Sequence, residues 1–208
     1  MANSRPGSEP PRAWQRMLSG RRLDLLDPSP MDVEIEDIAH GLARVARWNG
    51  QTVGEYAFSV AQHSLLVEEI VRRLKPGLSA DMQLAALVHD APEYVVGDMI
   101  SPFKAVLGGD YKTVEMRLTR AIHLRFGLPA DLPAPIKKLI KRADLMSAWL
   151  EATQLAGFSR AEADRFFIVP PETCQIDLVP QSPNEAQDAY LVRYSKILEE
   201  VDAARGAA

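Results

Sequence analysis

The spacing of apolar residues along the chain predicts a protein built from helices. From about Glu36, apolar side chains recur at helical intervals up to a turn at Asn49-Gly50. The same spacing predicts five further helices. They are Val60–Leu74, a helix that follows an N-cap at Ser79 and ends near Val88, Asp110–Phe126, Ile136–Ala156 and Pro183–Val201. The run Phe167-Ile168-Val169 is too short to build a sheet. The pattern therefore predicts an all-α fold.

The length of the chain predicts one domain with a tail. A chain of 208 residues can bury a complete core, and it falls within the usual size of a single domain. The first residues are polar and contain several prolines. We therefore expect residues 1–20 to form a flexible N-terminal tail and residues 21–208 to form one domain, in which residues 159–203 are a C-terminal helical extension.

Composition excludes several classes of function. The chain is 47% hydrophobic and 25% charged, as in ordinary soluble proteins, and its formal charge of −4 argues against general nucleic-acid binding. We expect no membrane partner, because no apolar run reaches the length of a membrane span or of a signal peptide. The single cysteine, Cys174, cannot form an intramolecular disulfide. These features predict a cytoplasmic location.

Four residues stand out as candidate metal ligands: His63, His89, Asp90 and Asp144. The pair His89-Asp90 directly follows an apolar helical run, where an acid is rarely buried without a partner. Imidazole and carboxylate groups together suit a divalent cation. Taken singly, each residue has an ordinary explanation, such as a packed histidine or a surface ion pair of Asp144 with Lys141. The ordered set of four favours a metal site.

The residues that follow strengthen this interpretation through a resemblance. The segment His89-Asp-Ala-Pro-Glu-Tyr-Val-Val-Gly-Asp98 resembles the His-Asp-x-x-Glu-x-x-x-x-Asp pattern of the YfbR-type 5′-deoxynucleotidases and related deoxynucleoside triphosphate hydrolases, which are HD-domain phosphohydrolases. The resemblance extends to Arg47-Trp48 and to residues 101–104, and it covers a catalytic core of about residues 36–150. It implies an HD-domain bundle of about six to eight helices and a homodimer.

The resemblance also implies roles for two acids. Glu93 would orient the attacking water or take its proton, and Asp98 would protonate the leaving oxygen. The alternative is that Glu93 is a first-turn acid that stabilises a helix N-terminus and that Asp98 is a turn former after Gly97. Because both acids occupy the family positions, we favour catalysis.

The histidine count limits the metal site, and several cations are candidates for binding phosphate. Only four histidines are present, so we expect one divalent ion, which can be cobalt, manganese, magnesium, zinc, iron or nickel. Arg47, Arg44 and Lys104 are the candidate phosphate contacts, and Trp48 is a candidate contact for the base or the sugar. Alternatively, Arg47 and Trp48 cover core surface at a helix end.

Together these observations predict a metal-dependent phosphohydrolase of 5′-deoxynucleoside phosphates. Two alternatives stay open. One is a phosphodiesterase of the same fold that cuts cyclic or signalling nucleotides, and the other is a domain that binds nucleotides without turnover, since one fold can host many activities.

Overall fold

The computed structural model of the protein describes residues 12–99 and 109–206, except for the side chains of residues 109, 110 and 205. Eight α-helices and one two-stranded hairpin lie in this part of the chain, which confirms the predicted all-α bundle. None of the described helices combines the length and the apolar character that crossing a membrane requires. Lys104, a predicted phosphate contact, lies outside the described residues.

The helices that the apolar pattern predicted are present, and most of their bounds lie within a few residues of the prediction. Antiparallel strands β1 (Trp14–Arg16) and β2 (Arg22–Asp24) precede the helices. The helices are α1 (Ile35–Leu42), α2 (Val60–Leu74), α3 (Ala80–Leu87), α4 (Glu93–Val96), α5 (Gly109–Arg125), α6 (Ala134–Gln154), α7 (Arg160–Phe166) and α8 (Pro183–Gly206). Short 3-10 turns occupy Pro30–Asp32, Arg47–Gly50 and Glu172–Cys174. The bounds predicted for α2 are confirmed at both ends.

Helix α2 lies at the centre of the bundle. It packs against α1, α3, α6 and α8, and it is buried on several faces rather than along one stripe. The hydroxyl of Ser59 caps its start by accepting a hydrogen bond from the backbone N–H of Gln62 at 3.3 Å. A polar side chain on α2, such as that of His63 in its first turn, is therefore surrounded by protein and needs partners from other parts of the chain.

The described part of the N-terminal region contains a hairpin that the apolar pattern did not predict. From Trp14 onward the chain forms the β1–β2 hairpin, whose turn contains Ser19. The backbone N–H of Ser19 donates to Asp37 Oδ1 at 2.9 Å, and its hydroxyl donates to Oδ2 of the same residue. This contact fastens the hairpin to α1 through a long-range bond that local sequence could not indicate.

The first helix also ends earlier than its apolar pattern suggested. Helix α1 stops at Leu42, residues 43–45 form a turn and a bend, and Ala46 then forms an isolated bridge with Ser59. Backbone bonds from Val60 N–H to Val45 O at 2.9 Å and from Arg47 N–H to Phe58 O at 2.8 Å hold this connection. The 3-10 turn at Arg47–Gly50 is thereby tied to the start of α2.

The C-terminal helix belongs to the same core as the preceding helices. Helix α8 packs on α1, α2 and α3, and the buried hydroxyl of Tyr190 donates to Leu87 O at 3.2 Å. Ile197 is fully buried, whereas Val192 is 70% exposed. Most of the apolar side of α8 therefore serves the core, and the homodimer that the resemblance implies stays a prediction.

A buried ion pair between α8 and α2 generates the first testable prediction. Arg193 donates to both carboxylate oxygens of the buried Glu68, at 3.0 and 2.6 Å. In Arg193→Ala we expect a loss of about 2 kcal/mol in the free energy of unfolding, because the buried carboxylate keeps only its bond from the exposed Arg72. Urea unfolding measures this loss. The control Lys196→Ala, an exposed change on the same helix, should be nearly neutral, and equal stability of the two variants would contradict the prediction.

Candidate metal centre

The four predicted metal ligands come from three parts of the bundle. His63 lies on the central helix α2, and Asp144 lies on α6, which packs against it. His89 and Asp90 occupy the tight turn between α3 and α4, where the N–H of Glu93 donates to Asp90 O at 3.0 Å. The apolar residues of α3 anchor this turn in the core, so its two polar side chains are held in place from behind.

Three of these side chains meet at one point. The Nε2 atoms of His63 and His89 lie 3.3 and 3.2 Å from Oδ2 of Asp90, and the ligand atoms of all three residues lie within 4.8 Å of one another. Both Nε2 atoms are buried and have no hydrogen-bond partner among the described residues. Buried nitrogens of this kind fit metal ligands. His63, His89 and Asp90 therefore form a group that could hold a metal ion.

The second nitrogen of each imidazole is bonded elsewhere. Nδ1 of His89 lies 2.9 Å from Ala86 O, and a carbonyl oxygen can only accept, so Nδ1 carries the proton. Nδ1 of His63 lies 2.6 Å from Glu151 Oε1 on α6. Such contacts fix the ring orientation and direct the Nε2 lone pair towards a metal, as is usual for metal-ligating histidines.

Asp144 lies beside this group on its His63 side. Its Oδ1 is 3.4 Å from Nε2 of His63, and its Oδ2 accepts a hydrogen bond from Lys141 at 2.7 Å. The structure thus brings all four predicted ligands into one neighbourhood. It also contains the surface ion pair with Lys141 that was the alternative explanation for Asp144, and the two contacts use different oxygens.

The electrostatics of the group favour a bound cation. Burial raises the pKa of Asp90, but His89 and His63 lower it more, so the pKa lies well below its usual range. Burial likewise raises the pKa of Asp144, yet His63 outweighs it and the net shift is downward. Burial and Arg47 lower the pKa of His63, whereas Glu151, Asp144 and Asp90 raise it well above its usual value. A metal ion would take the place of the proton that these acids favour on His63.

Arg47 lies among the acids of the site. Its Nη1 is 3.1 Å from Asp98 Oδ2, and its Nε is 3.2 Å from Glu151 Oε2. Burial lowers the pKa of Arg47, but the carboxylates of Glu151, Asp98, Asp90 and Asp144 raise it more, so the net shift is upward. Because Asp90 and Asp144 contribute to this shift, the guanidinium lies within electrostatic reach of two candidate ligands. Two of its donors are already engaged by the protein, which limits what it can offer to a phosphate group.

Trp48 is held in the protein instead of facing the cavity. Its Nε1 donates to Glu151 Oε2 at 2.8 Å, and its ring packs at 5.6 Å from Phe158 and 5.8 Å from Phe167. It is absent from the residues that line the cavities beside His89. In this geometry the polar atom and the ring both have protein partners, and the base or sugar contact stays a prediction. The alternative explanation, packing at a helix end, fits the geometry.

The remaining substrate candidate, Arg44, points towards another helix. Its guanidinium donates to Gln187 Oε1 at 2.8 Å and to Asn184 Oδ1 at 3.1 Å, both at the start of α8.

The catalytic candidate Glu93 lies beside the candidate metal ligands. Only 3% of its surface is exposed, and it lines the cavity next to His89 and Asp90.

A cavity of about 380 Å³ opens beside the His-Asp turn, between α5 and α6. Its wall contains polar residues that sequence reasoning left aside, namely Lys112, Glu115, Thr119, Arg120, His123, Asp131 and Lys137. Of these residues, His123 is buried, and its Nδ1 lies 3.2 Å from Ala130 O. The helical spacing of Thr119, Arg120 and His123 on one face of α5 was the available signal.

Comparison with known proteins gives the family of the chain but no activity. No family model matches the chain. The chain is 63% identical over 189 residues to the uncharacterized protein RCAP_rcc00048 of Rhodobacter capsulatus. The matched segment covers 90% of this chain and 96% of that protein, so the chain belongs to the same family. It is also 29% identical over 168 residues to the uncharacterized protein YfdR of Escherichia coli, covering 81% of this chain and 86% of YfdR.

The metal group generates a direct prediction. With Zn²⁺ as the probe, at about a hundred times its dissociation constant, we expect a gain of about 2.7 kcal/mol in the free energy of unfolding of the wild type. Asp90→Ala should lose the bound metal and this gain, because an ionised ligand is removed. Elemental analysis and thermal unfolding measure the two effects, and Asp202→Ala, an exposed change on α8, is the control. Full metal content in Asp90→Ala would show that the site is assigned wrongly.

Proposed function

We propose that this protein is a divalent-metal-dependent phosphohydrolase whose preferred substrates are 5′-deoxynucleoside phosphates. The observation that carries the proposal is the orientation of two buried imidazoles. His63 and His89 both turn Nε2 towards the carboxylate of Asp90, while their Nδ1 atoms are bonded to other groups. His89 and Asp90 also line the cavity of about 380 Å³, whose volume suits a small-molecule ligand.

In this proposal His63, His89, Asp90 and Asp144 hold one cation. Two neutral imidazoles and two carboxylates suit several divalent ions of the first transition row. When bound, such an ion polarises a phosphate oxygen and lowers the pKa of a water molecule. Asp144 completes the set through Oδ1, the oxygen that lies 3.4 Å from His63 Nε2.

Glu93 is the acid best placed for proton transfer. It follows the ligand pair by one short turn, starts helix α4 and lines the cavity next to His89 and Asp90. We assign it to orienting the attacking water and accepting its proton. Asp98 is held in an ion pair with Arg47 at 3.1 Å, so in this geometry it positions the guanidinium. Donation of a proton by Asp98 would require this pair to open.

The opposite wall of the cavity supports an anionic substrate. Lys112, Arg120 and Lys137 line it, and the last two contact the same carboxylate, that of Asp131, at 2.8 and 3.8 Å. Arginine and lysine are the usual partners of phosphate oxygens. Exposed ion pairs are weak, so a substrate phosphate can replace Asp131 at little cost. The preference for a deoxy sugar rests on the resemblance to the 5′-deoxynucleotidases.

The first test of the function is phosphate release. We expect metal-dependent release of phosphate from deoxynucleoside mono- or triphosphates, at a higher kcat/KM than from the matching ribonucleotides. Asp90→Ala should abolish it, and Asp202→Ala should not. Turnover confined to cyclic or signalling nucleotides would identify a phosphodiesterase instead. If the protein binds nucleotides but none of the six metals supports turnover, it is a non-catalytic domain.

A second test separates the proton-transfer role of Glu93 from metal binding. We expect Glu93→Gln to keep its metal content and helical structure and to lose about 10²–10⁴-fold in kcat, as for loss of a general acid–base group. Turnover at saturating substrate and elemental analysis measure these effects. Glu172→Gln, an exposed change of the same kind, serves as the control. Turnover of Glu93→Gln at the wild-type rate would remove Glu93 from the reaction.

A further inference from the structure

The carboxylate of Glu151 connects three functional candidates. Glu151 lies on α6 and is completely buried. Its Oε1 accepts from His63 Nδ1 at 2.6 Å, and its Oε2 accepts from Trp48 Nε1 at 2.8 Å and from Arg47 Nε at 3.2 Å. Each oxygen thus serves a different part of the site, one a candidate metal ligand and the other the Arg47–Gly50 turn.

Packing alone does not account for an acid at this position. The neighbouring residues Leu150 and Ala152 are fully buried, and an apolar side chain would fit such surroundings without desolvating a charge. The three described hydrogen bonds of Glu151 come from His63, Trp48 and Arg47, so every one of these donors lies in or beside the candidate site.

We propose that Glu151 is a positioning residue that orients His63 for metal binding and couples this ligand to Arg47 and Trp48. The proposal deepens the proposed function and rests on its metal site. A negative acceptor at Nδ1 keeps the proton on that nitrogen, leaves Nε2 as the donor atom and makes the imidazole a stronger ligand. The same carboxylate fixes the direction from which Arg47 reaches the acids of the site.

The backbone of the turn agrees with this coupling. Trp48 and Asn49 have φ values of 56° and 52°, a left-handed conformation that is unfavourable for a bulky residue such as tryptophan. Such a conformation persists when surrounding contacts determine it. Here these contacts are the hydrogen bond from Trp48 to Glu151, the ring packing on Phe158 and Phe167, and the backbone hydrogen bond from Arg47 to Phe58, two residues before α2.

The coupling predicts a spectroscopic signal. When a cation binds Nε2 of His63, the Nδ1 proton becomes more acidic and its bond to Glu151 becomes stronger. The charge that Glu151 presents to the indole of Trp48 then changes, so tryptophan emission should report metal binding. Of the other two tryptophans, Trp149 donates to Asp164 at 2.7 Å and Trp14 lies in the β1–β2 hairpin. Neither contacts Glu151 through a described hydrogen bond.

The experiment titrates metal-free protein with Zn²⁺, which is itself spectroscopically silent, and records heat and tryptophan emission together. Glu151→Gln keeps the shape of the side chain and removes its charge. We expect it to bind Zn²⁺ about 10–100-fold more weakly than the wild type, as for loss of other outer contacts of metal ligands. Trp48→Phe should lose the change in emission and keep most of the affinity, because His63 retains its bond to Oε1.

Ser147→Ala is the matched control. The hydroxyl of Ser147 is the other group near Nδ1 of His63, at 3.2 Å, and it donates to Asp144 O at 2.9 Å. A small change in affinity is expected for this variant, because no charge is lost. Equal Zn²⁺ affinity of Glu151→Gln and the wild type would overturn the positioning role and leave Glu151 as a packing residue.

A further measurement uses only the wild-type protein, so it does not depend on the folding of any variant. Nitrogen NMR of ¹⁵N-labelled histidine in the zinc-loaded protein should show Nε2 of His63 as the ligand and Nδ1 as protonated. Ligation through Nδ1 would overturn the proposal. If Zn²⁺ binding depends on Glu151 and no nucleotide releases phosphate, the proposed function fails while the positioning role stands. If phosphate is released and Glu151→Gln behaves as the wild type, the positioning role alone fails.

Discussion

His63 lies near the start of the central helix, and its two ring nitrogens contact three acids from two other parts of the chain. Asp90 comes from the turn after α3, and Asp144 and Glu151 come from α6. A fully buried imidazole among carboxylates is stable only while every partner stays in place. The packing of α2 against α3 and α6 is therefore also the condition for the site, because it fixes the donors around His63.

Much of the fold could be predicted because its signals are local. The limits of α2 follow from the cap at Ser59 and from the apolar spacing up to Leu74, and the structure has the same limits. The ligand candidates were also accessible, because His89-Asp90 follows a buried helical run and polar residues there are unusual. The order of the four residues along the chain supplied the remaining evidence for a metal site. The four side chains come together because three helices pack against one another.

The parts that could not be predicted depend on contacts between distant residues. Glu151 in the sequence is an unremarkable acid on an amphipathic helix, and only the packing of α6 on α2 gives it His63 as a partner. Trp48 was a candidate substrate contact, and the sequence does not indicate that its ring packs against Phe158 and Phe167. The hairpin was missed for the same reason, since Asp37 fastens its turn from another element.

The ion pairs around the site explain why Arg47 does not neutralise the candidate metal ligands. Its Nη1 and Nε neutralise Asp98 and Glu151, and Lys141 pairs with the outer oxygen of Asp144. Asp90 and the inner oxygen of Asp144 remain with the Nε2 atoms of the two histidines, and a proton on His63 can offset only part of their charge. In the proposed site a divalent cation would satisfy both carboxylates and both nitrogens at once, because it accepts lone pairs from all four.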